Sequence, residues 1–146
     1  MGLTTKLWVM SCKAYRAKLT PIAKLIKTIN FLVFHAVLPY QAQIEPDLIL
    51  EHYGLGVVVH PNVKIGKRCR IYHNVTLAAE VPLDSKEGIT IGDDVLIGAG
   101  AVVIGRGYQS LTIGNGCKIG AGAVVTKSVE DGLTVVGSPA RPVQKG

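Results

Sequence analysis

Aliphatic residues recur at every sixth position through the second half of the chain, and a glycine directly follows many of them. These anchor positions are Val59, Ile65, Ile71 and Leu77, then Ile91, Ile97 and Val103, then Ile113, Ile119 and Val125. A helix cannot keep every sixth residue on one face, and simple strand alternation needs no glycine at such an interval. The pattern predicts a parallel β-solenoid in which each coil buries its side chains against the next.

Residues 38–137 are predicted to form this solenoid. Three sides of six residues make one coil of about 18 residues, so this segment holds roughly five coils. Two intervals are too long: Leu77 and Ile91 are 14 positions apart, and Val103 and Ile113 are 10 apart. Because insertions leave such a column as loops, we expect an extruded loop over 78–88. The proline-rich, basic segment 138–146 is predicted to be a tail that leaves the last coil.

The start of the chain follows helical spacing instead, with apolar residues three or four positions apart. They are Leu3, Leu7, Met10, Ala14 and Ala17, then Ile22, Leu25, Ile26, Ile29, Leu32 and Val33. Thr20 and Pro21 are typical of an N-cap and a first helical turn. Residues 1–37 are therefore predicted to be a helical segment, either a hairpin or a kinked helix. A short helix pair cannot bury its own apolar stripe, so we expect it to dock on the solenoid or on a neighbouring subunit.

Composition narrows the class of protein. The 146 residues suffice for one domain, and 48% hydrophobic content with only 5% aromatic residues suits a core of stacked aliphatic side chains. The first 44 residues carry six cations and no acidic residue. This charge is either a solvated helix face or a surface attracted to an anionic membrane or to polyanionic ligands. Aromatic residues do not alternate with the basic ones, which argues against nucleic-acid binding.

The three cysteines form no CxxC pair. Cys69 and Cys117 occupy the repeat position of Val75 and Ala123, which predicts small buried residues rather than nucleophiles or metal ligands. Together with Cys12 they fit a reducing compartment, and we expect a cytoplasmic protein. No cleavable leader is expected, because basic residues interrupt the first apolar stretch.

Histidines supply the candidate chemistry, since the chain has no nucleophile elbow, zinc-protease motif, P-loop or dinucleotide fingerprint. His52 follows an apolar run and precedes Gly54 and Gly56, which places it at a corner of the column. An imidazole there is either a general base or a turn histidine held by backbone groups. His73 comes 21 residues later, about one coil, so we expect the two on neighbouring rungs. Two stacked histidines without a carboxylate at a matching position do not predict a metal site.

Several motifs, in order, resemble those of the serine O-acetyltransferase family of hexapeptide-repeat acyltransferases. They are the stretch from 38 through His52 to 66, then 71–77 (IYHNVTL), 91–100 (IGDDVLIGAG) and 136–141 (VGSPAR). The resemblance covers residues 38–143. It implies a mainly β fold, the left-handed parallel β-helix, with acetyl-CoA as co-substrate. It also implies a homotrimer, with the thioester lying in a groove between adjacent subunits.

The resemblance implies specific site residues as well. His52 matches the catalytic base, and we expect Glu51 or His73 to orient its imidazole or contact the acceptor. Backbone contacts to CoA are implied for two short segments and phosphate contacts for two cations. These residues are Gly98, Ala99, Gly120 and Ala121 for the backbone, and Lys127 and Arg141 for the phosphates.

The chain departs from that family where the acceptor is concerned. The family has a second active-site histidine, preceded by arginine, in the extruded loop, where 82–88 reads PLDSKEG here. Its orienting aspartate aligns with Val37, and His73 stands at a glutamine-like position. Both serine and a sugar or polysaccharide hydroxyl therefore stay open as acceptors. Two other classes compete: a γ-carbonic-anhydrase-like metalloenzyme, which needs three converging histidines, and a non-catalytic solenoid that serves assembly or membrane attachment.

Overall fold

The computed structural model describes residues 1–144, and the last two residues of the predicted tail, 145–146, lie outside the described part. The chain begins with two helices, α1 (Leu3–Arg16) and α2 (Thr20–Phe34). They form a hairpin rather than one kinked helix, because Ser11 Oγ donates a hydrogen bond to the Ala23 carbonyl oxygen at 2.9 Å. The predicted N-cap at Thr20 is wrong. The chain reverses at Lys18 (φ 61°), so Leu19 is the N-cap and Thr20 already lies inside the helix.

Short strands follow the hairpin. In chain order they are β1 (Gln43–Ile44), β2 (Ile49–Leu50), β3 (Val58–Val59), β4 (Val63–Ile65), β5 (Arg70–Ile71), β6 (Thr76–Ala79), β7 (Ile89–Ile91), β8 (Leu96–Ile97), β9 (Val102–Gly105), β10 (Leu111–Ile113), β11 (Lys118–Ile119), β12 (Val124–Val125), β13 (Thr134–Val136) and β14 (Arg141–Pro142). Each strand from β1 to β13 pairs in parallel with the strand one coil away, which confirms the predicted β-solenoid.

The strands build three faces of a column. The first face has the order β1-β4-β7-β10, the second β2-β5-β8-β11-β13-β14 and the third β3-β6-β9-β12. The column therefore has four complete turns and a partial fifth, slightly fewer than the five predicted. Two insertions take residues out of the column without disturbing its register, since Ile65 pairs with Ile91 and Ile91 with Ile113.

The extruded loop is shorter than the predicted 78–88. Strand β6 continues through Ala79, because Ala78 and Ala79 lie opposite Ile104 and Gly105 of the next coil. The loop therefore comprises residues 80–88. It is tied to the column by Asn62 Nδ2, which donates to three loop carbonyl oxygens, those of Pro82 (3.0 Å), Ser85 (3.1 Å) and Glu87 (3.1 Å).

The C-terminal tail does not leave the last coil as predicted. Strand β14 turns back and pairs antiparallel with β13, so that Arg141 lies opposite Val136. The turn uses Gly137 with a φ of 89°, a backbone conformation open to glycine. The Ala140 N–H then donates to the Val124 carbonyl oxygen at 2.8 Å, which holds the returning segment on the coil below.

The anchors of the six-residue pattern form the core of the column, each at most 3% exposed. Cys69 and Cys117 are fully buried among them, as predicted. Burial raises the pKa of both thiols above the usual value. It raises the pKa of Cys12, on α1, to about 11. Because a thiol must ionise to act as a nucleophile, these sites favour unreactive structural cysteines.

The hairpin packs on the first coil through α1. Trp8 is fully buried, and its Nε1 donates to the Pro39 carbonyl oxygen at 2.8 Å. The helix pair thus docks on the solenoid, one of the two expected alternatives, but it does so through α1, while α2 buries only Ala23 and Asn30. Neither helix has the length and hydrophobicity that crossing a bilayer would need.

Candidate active site

His52 lies in a short 3-10 turn, Glu51–Gly54, which joins the second face of the column to the third in the first coil. His52 and Tyr53 have left-handed backbone conformations, with φ of 52° and 58°. Such conformations are uncommon for residues other than glycine and cost roughly 1–3 kcal/mol each, so the surrounding structure must hold the turn. The turn leaves the His52 side chain exposed at the corner of the column.

The N-terminal hairpin holds this turn in place. Thr4 Oγ1 of α1 donates to the Tyr53 carbonyl oxygen at 2.8 Å. At the end of α2 the Phe34 ring stacks on the Tyr53 ring, with centroids 5.9 Å apart and an interplanar angle of 14°. Both helices therefore contact the residue next to His52. The hairpin thus bears directly on the geometry of the corner.

His73 occupies the same corner one coil later. Its ring centroid lies 5.0 Å from that of His52, and this confirms that the two lie on neighbouring rungs. The Tyr72 ring lies 6.3 Å from His52 and adds an aromatic wall. His73 Nδ1 is buried and has no hydrogen-bond partner within the described chain. Buried polar atoms are rarely left unpaired, and because this nitrogen is buried, an entering ligand does not reach it unless the ring moves.

Glu51 forms an ion pair that the sequence did not predict. Its Oε1 lies 3.2 Å from Nε of Arg70 on β5, and both side chains are partly exposed. The pair links the His52 turn to the strand that leads into His73. Arg70 and Tyr72 follow Glu51 and His52 by 19 and 20 residues, about one coil. That spacing is the signal that could have identified both residues.

Glycine and alanine form the next two rungs of this corner, Gly98-Ala99 and Gly120-Ala121. The Gly100 N–H donates to the His73 carbonyl oxygen at 3.0 Å, and the Gly122 N–H donates to the Ala99 carbonyl oxygen at 2.8 Å. The corner is therefore continuous from His52 to Ala121. Because neighbouring strands are 4.7–4.9 Å apart, these four rungs span about 14 Å. Short side chains leave Ala99, Gly120 and Ala121 at least partly exposed on the upper two rungs, whereas Gly98 is buried between rungs.

The two cations predicted to meet phosphates lie together elsewhere on the last coil. Lys127 and Arg141 line one cavity of 460 Å³ between the third face and the returning tail. Both side chains are exposed. The four Gly and Ala residues of the corner are not part of its lining. The structure thus brings the site residues together in two groups, one along the corner and one at the end of the column.

Known proteins share both the repeat and the architecture. Residues 88–127 match the family described as hexapeptide repeat of succinyl-transferase. The serine acetyltransferase of Staphylococcus xylosus is 37% identical over 131 residues, which cover 90% of this chain and 58% of that protein. Soybean serine acetyltransferase complexed with serine has a TM-score of 0.85 at 33% identity, covering 97% of this chain and 56% of that one. The serine acetyltransferase of Brucella abortus in complex with coenzyme A has a TM-score of 0.84 at 27% identity, covering 94% and 53%.

The chain is similar to serine O-acetyltransferases in sequence and in fold. It spans a little over half the length of the relatives it matches. The shared part includes the His52 corner and all four complete turns. Activity, substrates and partners are therefore inferred from this shared part together with the geometry of the corner.

The two other histidines of this chain, His35 and His60, lie away from the corner. His60 Nδ1 accepts a hydrogen bond from the Asn62 N–H at 3.1 Å, and burial lowers the pKa of His60. His35 ends α2 in a left-handed conformation with a φ of 53°. Among residues 1–144, no three His, Cys, Asp or Glu side chains gather in a position to hold a metal ion.

Proposed function

We propose that this protein is an acetyl-CoA-dependent O-acetyltransferase that transfers acetyl to the hydroxyl of a small acceptor, with serine as the first candidate. The observation that carries the proposal is the pair of imidazoles, 5.0 Å apart, at the foot of a glycine-rich corner. The family supports the choice of reaction, because members with the same fold are serine acetyltransferases complexed with serine or with coenzyme A.

The reaction requires one base and one oxyanion stabiliser. His52 removes the proton from the acceptor hydroxyl as its oxygen attacks the thioester carbonyl carbon. A backbone N–H of the glycine-rich rungs, or a protonated neighbour, stabilises the resulting oxyanion. The tetrahedral intermediate then expels the CoA thiolate, and the imidazolium of His52 returns the proton to the sulfur. The exposed position of His52 suits a base that meets an entering hydroxyl.

Glu51 and His73 support the base in this scheme. Glu51, through its ion pair with Arg70, fixes the turn that carries His52. The His73 ring, with its centroid 5.0 Å from that of His52, orients the base or contacts the acceptor in this scheme. Both are positioning residues unless they touch the substrate directly.

CoA lies along the corner in the same proposal. The backbone of Gly98, Ala99, Gly120 and Ala121 contacts the extended arm of the cofactor. Lys127 and Arg141, at the end of the column, meet its phosphates, because a guanidinium and an ammonium are suited to these anions. The absence of long side chains on the two upper rungs favours close approach of the ligand to the backbone.

We also propose a homotrimer in the cytoplasm. The flat faces of the column and the exposed position of His52 support a site completed by a neighbouring subunit. Three free, buried cysteines support a reducing compartment. Light scattering tests the assembly, and a fully active monomer of 15.5 kDa would contradict it.

A sugar or polysaccharide hydroxyl is the second candidate acceptor, favoured by the extruded loop. Residues 80–88 contain neither histidine nor arginine, and their one cation is the exposed Lys86. A lysine lacks the planar guanidinium that binds a carboxylate through two parallel hydrogen bonds. The loop therefore holds the carboxylate of an amino acid less firmly than an arginine would, which keeps an uncharged acceptor as the second candidate.

A thiol-release assay with acetyl-CoA tests the proposal. The purified chain is offered serine, homoserine and a panel of simple sugars in parallel, and free CoA thiol is measured over time. Release that depends on serine supports the first candidate, and release with sugars alone supports the second. If no acceptor raises release above the rate of acetyl-CoA hydrolysis in its absence, the proposed activity is wrong.

A further inference from the structure

Helix α2 exposes the kind of residue that helices of globular proteins bury. Within α2 the buried residues are Ala23 and Asn30. Five aliphatic side chains are 39–66% exposed, namely Ile22, Leu25, Ile29, Leu32 and Val33. Residues at these three-, four- and seven-residue intervals share one stripe of a helix. The stripe is therefore a continuous apolar surface in the single chain.

The stripe points away from the column. On the opposite side of α2, Lys27 lies over the Tyr40 ring at 5.8 Å, and Phe31 lines the same cavity as Val37 and Tyr40. On α1, Leu3 and Met10 are 56% and 53% exposed on the side opposite the buried Trp8. We call these outward residues of both helices the outer face. It comprises Leu3 and Met10 of α1 together with Ile22, Leu25, Ile29, Leu32 and Val33 of α2.

Cations border the outer face at α1 and at the turn. Lys6 and Lys13 are seven residues apart and so lie along one edge of α1, while Lys18 lies in the turn between the helices. All three side chains are exposed. The first acidic residue of the chain is Glu45, beyond both helices. An aliphatic face with a basic border is typical of helices that lie in a membrane interface.

We propose that the outer face docks the protein on an anionic lipid surface, with both helices lying in the plane of the interface. The aliphatic side chains enter the boundary between headgroups and acyl chains, and the lysines contact lipid phosphates. This surface is separate from the His52 corner, and the proposal goes beyond acetyl transfer.

Charge decides between lipid and a second copy of this chain as the occupant. Two outer faces pressed together would bring the lysines of both copies close, and neither hairpin carries an acidic residue to neutralise them. An anionic lipid surface supplies the missing negative charge. Two outer faces pressed together would cover the apolar stripe but leave the cations unpaired, whereas an anionic lipid surface covers the stripe and neutralises the cations.

Vesicle co-sedimentation tests the proposal on the full chain. The probes are vesicles of phosphatidylcholine alone and vesicles of phosphatidylcholine mixed with phosphatidylglycerol. We expect binding to the anionic vesicles that weakens as salt is added. Replacing two outward leucines, Leu25→Ser with Leu32→Ser, is expected to lower the partition coefficient at least tenfold. Replacing Lys6→Gln with Lys13→Gln is expected to lower it about 25-fold at low salt, about fivefold for each cation.

Matched variants make each result specific. Leu83→Ser removes a leucine that is 65% exposed on the extruded loop, and Lys67→Gln with Lys118→Gln removes two exposed cations of the column. Both are expected to bind like the unmodified chain. The serine variants should keep the melting temperature, since the replaced side chains are exposed.

Three results would overturn the proposal: equal or absent binding to the two kinds of vesicle, equal losses in the matched variants, or an assembly that Leu25→Ser with Leu32→Ser dissociates in light scattering without any vesicle binding. The last result would assign the outer face to a second copy. Because binding is measured without acetyl transfer, a failure here leaves the proposed activity untouched.

Discussion

The imidazole rings of His52 and His73 meet edge to face, with their centroids 5.0 Å apart and an interplanar angle of 84°. Their surroundings differ, because His52 is exposed while Nδ1 of His73 is buried without a partner in the described chain. An exposed imidazole can exchange a proton with an entering hydroxyl. A buried ring nitrogen is better suited to fix the orientation of its own ring. On this basis we propose His52 as the base and His73 as a positioning residue.

Replacing the base tests this separation first. General-base catalysis supplies about 10²–10⁴-fold, so His52→Ala is expected to lower the acetyl-transfer rate by that factor. Binding of CoA, measured by calorimetry, should stay near the original value because other rungs hold the cofactor. His60→Gln, at a corner away from the site, is the matched control and should keep full activity. An active His52→Ala variant would contradict the assignment of the base.

His73→Ala is expected to weaken acceptor binding more than turnover. The loss of one hydrogen bond to a ligand, about 0.5–1.5 kcal/mol, raises the KM for the acceptor roughly two- to tenfold. His73→Gln keeps a hydrogen-bonding group at this position and should restore most of the KM. Steady-state kinetics over a range of acceptor concentration give both constants. An inactive His73→Ala beside an active His52→Ala would exchange the two roles.

The hydrogen bond from Thr4 to the Tyr53 carbonyl oxygen links the hairpin to the turn that carries His52. Thr4→Val keeps the shape but leaves that carbonyl without its donor, which costs about 1–3 kcal/mol. We expect a lower melting temperature and a lower kcat, because the turn that carries His52 loosens. Thr28→Val is the control, since Thr28 Oγ1 bonds only to Lys24 within an exposed part of α2. If Thr4→Val changed neither quantity, the hairpin would not support the site.

At Gly98 two rungs of the corner approach each other so closely that a side chain does not fit between them. A Cβ there would lie 2.6 Å from the Ala121 nitrogen, which belongs to the backbone and cannot turn aside. Gly98→Ala is expected to destabilise the fold by about 1–3 kcal/mol, as overpacking does. Gly105→Ala is the control, because its Cβ would meet its nearest atoms at 3.7 Å or more. Chemical denaturation measures both, and equal stabilities would contradict the close packing.

Cys69→Ala and Cys117→Ala are expected to leave turnover nearly unchanged and to cost about 1 kcal/mol of stability each. Both thiols are fully buried, and burial raises the pKa of each, so the reactive thiolate is scarce. Iodoacetamide should therefore leave the folded protein active. Inactivation that Cys69→Ala prevents would overturn the structural role of that residue.

The repeat made the column predictable, because the same local rule recurs on every coil. Each anchor position is buried in the structure, and His52 and His73 lie on adjacent rungs as their spacing indicates. Features that depend on pairing between residues far apart in the sequence were harder to predict. Ala78 and Ala79 extend β6 only because Ile104 and Gly105 lie beside them one coil later.

The site shows the same division between local and distant information. The motif around His52 predicted that this residue lies at a corner of the column. It did not predict that Glu51 pairs with Arg70, because the fold brings Arg70 close from the next coil. The outward direction of α2 was equally hidden from the pattern. An apolar stripe shows that a helix has an apolar side, but polar contacts such as Ser11 to Ala23 decide which way that side turns.

The antiparallel return of β14 limits the growth of the column. A solenoid ends in strands with unpaired backbone groups, and an end of this kind can template further strands from other molecules. A second copy that continued the second face would have to add in parallel beside β13, where β14 already lies in the opposite direction. Pro142 in that strand has no N–H to donate, which makes it a poor edge for another strand. The folded-back terminus thus blocks end-to-end polymerisation of the protein into fibres.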